Sequence, residues 1–150
     1  MKRTFAILFS LAALFAACNK PSVEEPVEPF TAATYAGTVS VAFNGADFDN
    51  PDIRVDVLAE PSTGTLSITI HEIRFAPQMP VTVDVTIPDV HYKEVDGVIA
   101  FEAQSIVPLS GVVPMERYKV SGLNGSIRGD RCEFSLSFGN YPTSFSGDKI

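Results

Sequence analysis

The chain has 150 residues, with 18 acidic and 11 basic side chains and a formal net charge of −7. Such an acidic chain is repelled by phosphate groups, which argues against nucleic acid as a partner and against a basic patch for anionic lipid head groups. The length suits one domain with a hydrophobic core.

Residues 1–17 predict a lipoprotein signal peptide. Lys2 and Arg3 are followed by an uncharged run over 4–17 that is shorter than the roughly 20 residues of a membrane-spanning helix. Small residues then precede Cys18 in a pattern that resembles a lipobox, where the cysteine receives a lipid before cleavage. We therefore predict lipidation of Cys18 and a location on the outer membrane, on its periplasmic or cell-surface face. The alternative is an ordinary secretory signal followed by a chance cysteine.

Residues 18–33 are predicted to be a tether, because Pro21, Pro26 and Pro29 alternate with several glutamates. A stretch of this composition buries little apolar surface and stays extended. Several acyl chains on Cys18 would give stable attachment, since one chain alone binds only marginally. The membrane contact of the mature chain is thus predicted to be its lipid.

Residues 34–150 are predicted to form an all-β domain, because apolar and polar residues alternate with a period of two. The predicted strands lie near 35–43, 53–57, 66–70, 81–87, 99–103, 118–120, 132–138 and 144–150. Turn signals are Asn44-Gly45, 61–64, Asp96-Gly97, Asn124-Gly125 and Gly129-Asp130. This spacing indicates an antiparallel barrel or sandwich of eight or nine strands, with room for one helical turn within 109–117.

The cysteines and histidines give little support for chemistry. Cys132 alternates with Phe134 and Leu136 and is predicted to be a buried apolar residue; a reactive thiol is the alternative. His71 is predicted on the polar side of a strand and His91 in a loop, and neither has a second ligand at metal-binding spacing. No nucleophile motif is present, so we predict that the chain is not an enzyme and needs no metal or other cofactor.

The densest group of oxygen ligands consists of Asp47, Asp49, Asn50 and Asp52. Calcium prefers six to eight oxygens from a flexible loop, so a calcium site here is one interpretation. The spacing lacks the pattern of an EF-hand, and a solvated hairpin loop is the interpretation we favour.

Three segments resemble the calycin-like lipoproteins of gut-type Gram-negative bacteria. They are YAGTVSVAFNG (35–45), IRFAPQMPVTVDVTIPDV (73–90) and FGNYPTSFSG (138–147). The resemblance implies an antiparallel barrel of about eight strands related in shape to lipocalins, and it implies no reaction. Lipocalins proper carry Gly-x-Trp on their first strand, whereas this chain has Gly37-Thr38-Val39 and contains no Trp. A retinoid-type pocket is therefore not expected.

Two functions remain open for the predicted barrel. It either binds a small apolar or amphipathic ligand in its interior, lined by Phe101, Tyr118 and Phe134, or it is an envelope structural or protein-interaction module with a filled core. Bulky Val, Ile and Phe at the inward positions favour the filled core. A cavity inside the barrel with convergent polar groups would support the ligand, and a filled interior together with an exposed apolar patch would support the partner. The domain is predicted to be monomeric.

Overall fold

The computed structural model describes residues 29–150. The predicted signal peptide, Cys18 and the tether up to residue 28 lie outside the described residues. The described chain consists of β1 (Ala32–Phe43), β2 (Ala46–Glu60), β3 (Thr65–Ile73), β4 (Val83–Val95), β5 (Val98–Ala103), β6 (Leu109–Ser110), β7 (Val113–Pro114), a 3-10 helix (Glu116–Tyr118), β8 (Val120–Arg128), β9 (Arg131–Phe138) and β10 (Tyr141–Lys149). Within this region, no helix is long and apolar enough to span a membrane.

Eight of these strands form a closed antiparallel barrel with up-and-down connectivity. The neighbours run in chain order from β1 to β5, then through β8, β9 and β10, and β10 pairs with β1 to close the sheet. β6 and β7 form a small hairpin between β5 and β8, joined to β4 where Leu109 pairs with Thr86. Closure leaves the barrel strands without free edges. The predicted fold class, a calycin-like antiparallel barrel of about eight strands, is confirmed.

Side-chain alternation sorts the barrel strands into an apolar interior and a polar exterior. In β2, Ile53, Val55 and Val57 are buried, whereas Arg54 and Asp56 face outward. The inward residues of all eight strands join one hydrophobic cluster. Cys132 is fully buried in this cluster with a free thiol, so its predicted role as a small apolar core residue is confirmed.

Four β-bulges interrupt the hydrogen-bond ladder of the described barrel. At each bulge two residues oppose one residue of the neighbouring strand: 51–52 oppose Thr38, 71–72 oppose Asp84, 88–89 oppose Ser67, and 122–123 oppose Leu136. Each bulge contains one residue with positive φ, namely Asp52 (56°), Glu72 (56°), Asp89 (55°) and Gly122 (60°). Bulges change the direction of side chains and often lie beside functional sites.

The predicted turns at Asn44-Gly45 and Asp96-Gly97 are confirmed, and all four residues have positive φ. The predicted turn at Asn124-Gly125 is wrong, because both residues lie inside β8. Gly125 is needed there for close packing rather than for a turn.

Four other local predictions are also corrected. Asp47 and Asp49 belong to β2, so the predicted hairpin loop is an extended strand. His91 lies in β4 rather than in a loop, and β4 begins at Val83, which leaves Val81 61% exposed. Tyr118 ends the 3-10 helix instead of starting a strand.

Candidate functional site

The structure brings together two of the three residues that were predicted to line a ligand. Phe101 and Phe134 both face the barrel interior, with ring centroids 6.2 Å apart in an edge-on arrangement. Phe134 also contacts Phe145, at 5.2 Å between centroids. Tyr118 lies in a different group, where it stacks on Phe75 at 4.5 Å.

The space beside Phe101 and Phe134 is filled. A Cβ atom added at Gly125 would lie 2.5 Å from the Phe101 ring and 2.5 Å from Cβ of Phe134, well inside van der Waals contact. A Cβ at Gly147 would lie 2.5 Å from the ring of Phe145. The interior at these rings therefore has no room for one additional methyl group. It is a packed core in this region.

Aromatic rings also close one end of the barrel, where the β3–β4 connection and the hairpin insertion meet. Phe75, in the β3–β4 connection, packs against Tyr118, Phe138 and Tyr141 at centroid distances of 4.5, 5.3 and 6.0 Å. The Phe75 N–H donates a hydrogen bond to Sδ of Met79 at 3.2 Å. Tyr141 thus helps to close this end, whereas Phe145 packs against Phe134 in the interior.

Asn50 holds the β3–β4 connection in place. Its Nδ2 donates to the carbonyl oxygen of Arg74 at 3.1 Å, and the Arg74 N–H donates to Oδ1 of Asn50 at 3.0 Å. The Asn50 side chain is buried and turned away from the exposed Asp47 and Asp49, so the four side chains considered as calcium ligands do not converge. Between residues 29 and 150, no group of three or more His, Cys, Asp or Glu side chains is arranged to hold a metal ion.

A cavity of about 770 Å³ lies on the outer wall of the barrel, next to β2, β3, β4 and the β6–β7 hairpin. Three other cavities along the described wall have about 420 to 430 Å³. We call the larger cavity the His71 groove. Its lining consists of Asp52, Arg54, His71, Glu72, Thr82, Val83, Asp84, Ser110 and Gly111. This volume is in the range of small-molecule and side-chain binding sites.

A β-bulge positions His71 between two carboxylates. Because His71 and Glu72 together oppose Asp84, the imidazole lies between β2 and β4. Its Nε2 is 2.8 Å from Oδ2 of Asp56, and its Nδ1 is 3.5 Å from Oδ2 of Asp84. The Glu72 N–H donates to Oδ1 of Asp84 at 2.9 Å, which fixes the second carboxylate. The bulge thereby joins three strands through side chains on the outer wall.

These distances place a proton on one nitrogen of the imidazole. A contact of 2.8 Å between Nε2 and the Asp56 carboxylate requires a proton on Nε2, since the carboxylate only accepts hydrogen bonds. Arg54 Nη2 is 3.2 Å from the same Nε2, but a guanidinium has no acceptor to offer, so its partner is Asp56 Oδ2 at 3.5 Å. Nδ1 is 3.5 Å from Oδ2 of Asp84, and it completes an ion pair with that carboxylate when the imidazole carries both protons.

The same contacts set the charge of Asp56. Burial acts to raise the pKa of Asp56, but hydrogen bonds from His71 and Thr34 and the nearby charge of Arg54 lower it by more, so the pKa lies below its ordinary value of 3.8. Asp56 and Arg54 consequently neutralise each other at neutral pH. Among the described residues, Asp52 and Glu72 have no basic group within 4 Å. The groove is left with an excess of negative charge.

Sequence reasoning found only part of this site. Its prediction that His71 lies on the polar side of a strand is confirmed. It missed Asp56 and Asp84, although both stand at outward positions of alternating runs. The missing information was the register: an unbroken ladder would not place residues 71 and 72 opposite the single residue Asp84.

No protein-family model, curated protein or solved structure matches this chain. The resemblance to calycin-like lipoproteins therefore stays a prediction, while the barrel itself follows from the strand pairing.

Proposed function

We propose that this chain is a lipid-anchored binding module of the cell envelope that recognises a partner protein at the His71 groove and catalyses no reaction. The observation that carries the proposal is the filled interior at Phe101 and Phe134, combined with a larger cavity on the outer wall. A lipocalin-type ligand would need the space that these rings occupy. We therefore infer a recognition surface on the outside of the barrel.

Attachment to the outer membrane is supported by the sequence alone. Lys2, Arg3, the apolar run and the small residues before Cys18 have the order of a lipoprotein signal. A lipid on Cys18 followed by an extended tether would hold a monomeric barrel near the membrane while its wall stays accessible. The outer face of the barrel is then the surface that a neighbouring envelope protein meets first.

Binding without catalysis is supported by the surroundings of His71. The groove hydroxyls of Thr82 and Ser110 make no hydrogen bond to His71 in the described structure. A nucleophilic site would pair the imidazole with a hydroxyl or thiol. Here both imidazole nitrogens face carboxylates instead, so the imidazole takes part in hydrogen bonds and ion pairs.

A second candidate function is the binding of a small apolar or amphipathic ligand. The observation in its favour is a cavity of about 430 Å³ along β4, β5 and β8 that reaches Phe101, Tyr92 and Gly125. Most of its other lining residues are exposed and polar. A ligand here would lie in a shallow site on the wall.

Site-specific photo-crosslinking in the parent cell tests the two candidates. A photoreactive amino acid at Thr82 places the probe in the His71 groove, and the matched control at Ser135 places it on exposed β9. We expect a discrete protein adduct from position 82 and none from 135. Native mass spectrometry of the same material measures retained small molecules. A retained small molecule without an adduct at 82 would replace the first function by the second.

A further inference from the structure

We propose that Met79 is an oxidation site of this chain, where a small peroxide transfers one oxygen atom to Sδ and thereby loosens the closed end of the barrel. Methionine sulfoxide formed in this way replaces an apolar thioether by a polar group. Three observations support the proposal: the hydrogen bond that the sulfur accepts, the position of that bond in the fold, and the partial exposure of the side chain.

The sulfur of Met79 accepts a backbone hydrogen bond. The Phe75 N–H donates to Sδ at 3.2 Å, and no backbone carbonyl between residues 29 and 150 accepts this N–H. Phe75 is only 2% exposed, so water has little access to this residue. A buried N–H without an acceptor destabilises a fold. The thioether of Met79 therefore has a structural role that a hydrocarbon side chain would not fulfil.

This hydrogen bond joins the β3–β4 connection to the aromatic group that closes one end of the barrel. Phe75 stacks on Tyr118 with the ring centroids 4.5 Å apart. One residue earlier, Arg74 is held by its two backbone hydrogen bonds with the Asn50 side chain. Met79 itself packs against the hydrophobic core cluster. A change at the sulfur therefore acts directly on Phe75, the central ring of the closed end.

The Met79 side chain is accessible to a small oxidant. It is only partly buried, and its neighbours Gln78 and Pro80 are exposed. Cys132, by contrast, is fully buried in the core. A peroxide in the solvent therefore meets the sulfur of Met79 before it meets the thiol of Cys132.

Met115 provides an internal comparison. It is also partly buried and packs against the same core cluster. Its contacts to the chain are made by its backbone, since its N–H donates to the carbonyl oxygen of Pro108 at 2.8 Å and its own carbonyl oxygen accepts from the Tyr118 N–H at 3.0 Å. Oxidation of the Met115 sulfur therefore removes no hydrogen bond of the described structure.

The oxidation step needs only hydrogen peroxide. A lone pair of Sδ attacks one peroxide oxygen, the O–O bond breaks, and the leaving hydroxide takes the proton of the transferred oxygen and forms water. The sulfur is oxidised by two electrons, and the peroxide is reduced by two. If the new oxygen accepted the Phe75 N–H at about 2.9 Å, it would hold the sulfur farther from the nitrogen than the present 3.2 Å. We expect the Met79 side chain to move and the Phe75 N–H to lose its acceptor.

The test treats the folded full chain in detergent with hydrogen peroxide. Peptide mass spectrometry measures the sulfoxide at Met79 and Met115, and hydrogen exchange measures the opening of the backbone at 74–76. We expect sulfoxide at Met79, faster exchange at 74–76, and a midpoint of thermal unfolding that falls by at least about 3 °C, as for the loss of one buried hydrogen bond in a domain of this size. A Met79 that stays reduced while Met115 is oxidised would overturn the proposal. An oxidised Met79 with unchanged exchange and midpoint would also overturn it.

Matched leucine variants separate the effects of the two methionines. Leucine is close to methionine in volume and has no sulfur to oxidise. Each variant is compared with itself before and after peroxide, so the effect of the substitution itself cancels. Met115→Leu keeps Met79 and should lose at least about 3 °C, whereas Met79→Leu keeps Met115 and should change by less than about 1 °C. Equal shifts in the two variants, whether large or absent, would contradict the proposal.

Discussion

Nε2 of His71 on β3 lies 2.8 Å from Oδ2 of Asp56 on β2, and Oδ1 of the same carboxylate accepts a hydrogen bond from Oγ1 of Thr34 on β1 at 2.9 Å. One carboxylate thus joins three consecutive strands on the outer wall. The contacts to Asp84 extend the network to β4. The network therefore spans β1 to β4. It includes both neighbours of β3, the strand that carries the bulge at 71–72.

Asp56→Asn is predicted to make the barrel less stable at neutral pH. It should also make the free energy of unfolding less dependent on pH in the acid range. The pKa of Asp56 is lower in the folded chain than its ordinary value of 3.8, so its contribution is complete above about pH 4 and is lost as the pH falls through the folded pKa. More than a third of the Asp56 side chain is exposed, so the loss is at most about 1 kcal/mol. Urea unfolding between about pH 2 and 7 measures it.

The control for this prediction is Glu94→Gln, which removes an exposed carboxylate outside the network. Its stability should parallel that of the unmodified chain at every pH. A constant difference between Asp56→Asn and the unmodified chain down to about pH 2 would refute the linkage to this carboxylate.

Gly125→Ala is predicted to destabilise the barrel by about 1 to 3 kcal/mol, the usual cost of overpacking a core. The new methyl group would meet the rings and side chains of Phe101 and Phe134, which have no free space on that side. Ser126→Ala, one position along β8, points to the other face and should change the free energy of unfolding by no more than about 0.5 kcal/mol. If Gly125→Ala left the free energy of unfolding unchanged, the interior would be looser than a packed core. An internal ligand site would then be an interpretation again.

The barrel was predictable because its strands obey two local rules. Inward apolar residues recur with a period of two, and turns such as Asn44-Gly45 and Asp96-Gly97 use residues that tolerate positive φ. Each of these signals is carried by residues that lie close together in the sequence. Strand number and fold class could therefore be read before any pairing was known.

The site was less predictable because it depends on register. Glu72 occupies a bulge with positive φ, although glutamate, unlike Gly, Asn or Asp, does not indicate such a conformation in the sequence. Conversely, Asn124-Gly125 has the sequence of a turn, but Gly125 is a strand residue that makes room for the Phe101 ring. The pairing and packing partners that explain these residues lie on neighbouring strands, far away in the sequence.

Phe75→Ala is predicted to lower the free energy of unfolding by about 3 to 5 kcal/mol, in the range of buried aromatic truncations. Phe75 is almost fully buried and contacts Tyr118, Phe138 and Tyr141, so its loss removes the centre of the aromatic group that closes this end. Val112→Ala, at an exposed hairpin tip, is the control and should be nearly neutral. Urea unfolding followed by tyrosine fluorescence measures both, and a loss below about 1 kcal/mol would contradict the closed end.

Asn50→Asp is predicted to destabilise the chain at neutral pH, and calcium should not restore the loss. The substitution removes the Nδ2 donor to the Arg74 carbonyl and places a charge at a site that is 6% exposed. A buried acceptor left without its donor costs about 1 to 3 kcal/mol. Asp49→Asn, at the exposed neighbouring position, should be neutral. Thermal unfolding with calcium and with EDTA tests both, and a calcium-dependent shift in the unmodified chain would restore the metal-site interpretation.

Cys132 is predicted to be inert towards iodoacetamide in the folded chain at pH 8 and reactive after unfolding in urea. Burial, followed by the nearby charge of Glu133, raises the pKa of the Cys132 thiol to about 12, so almost no thiolate is present in the folded state. Mass spectrometry after alkylation also counts the free thiols, because the sequence contains only Cys18 and Cys132. Protein from the parent membrane should gain one label in urea and none when folded, and Cys132→Ala should gain none in either state. Two labels in urea would show that Cys18 carries no thioether lipid, and rapid labelling of the folded chain would show that Cys132 is exposed.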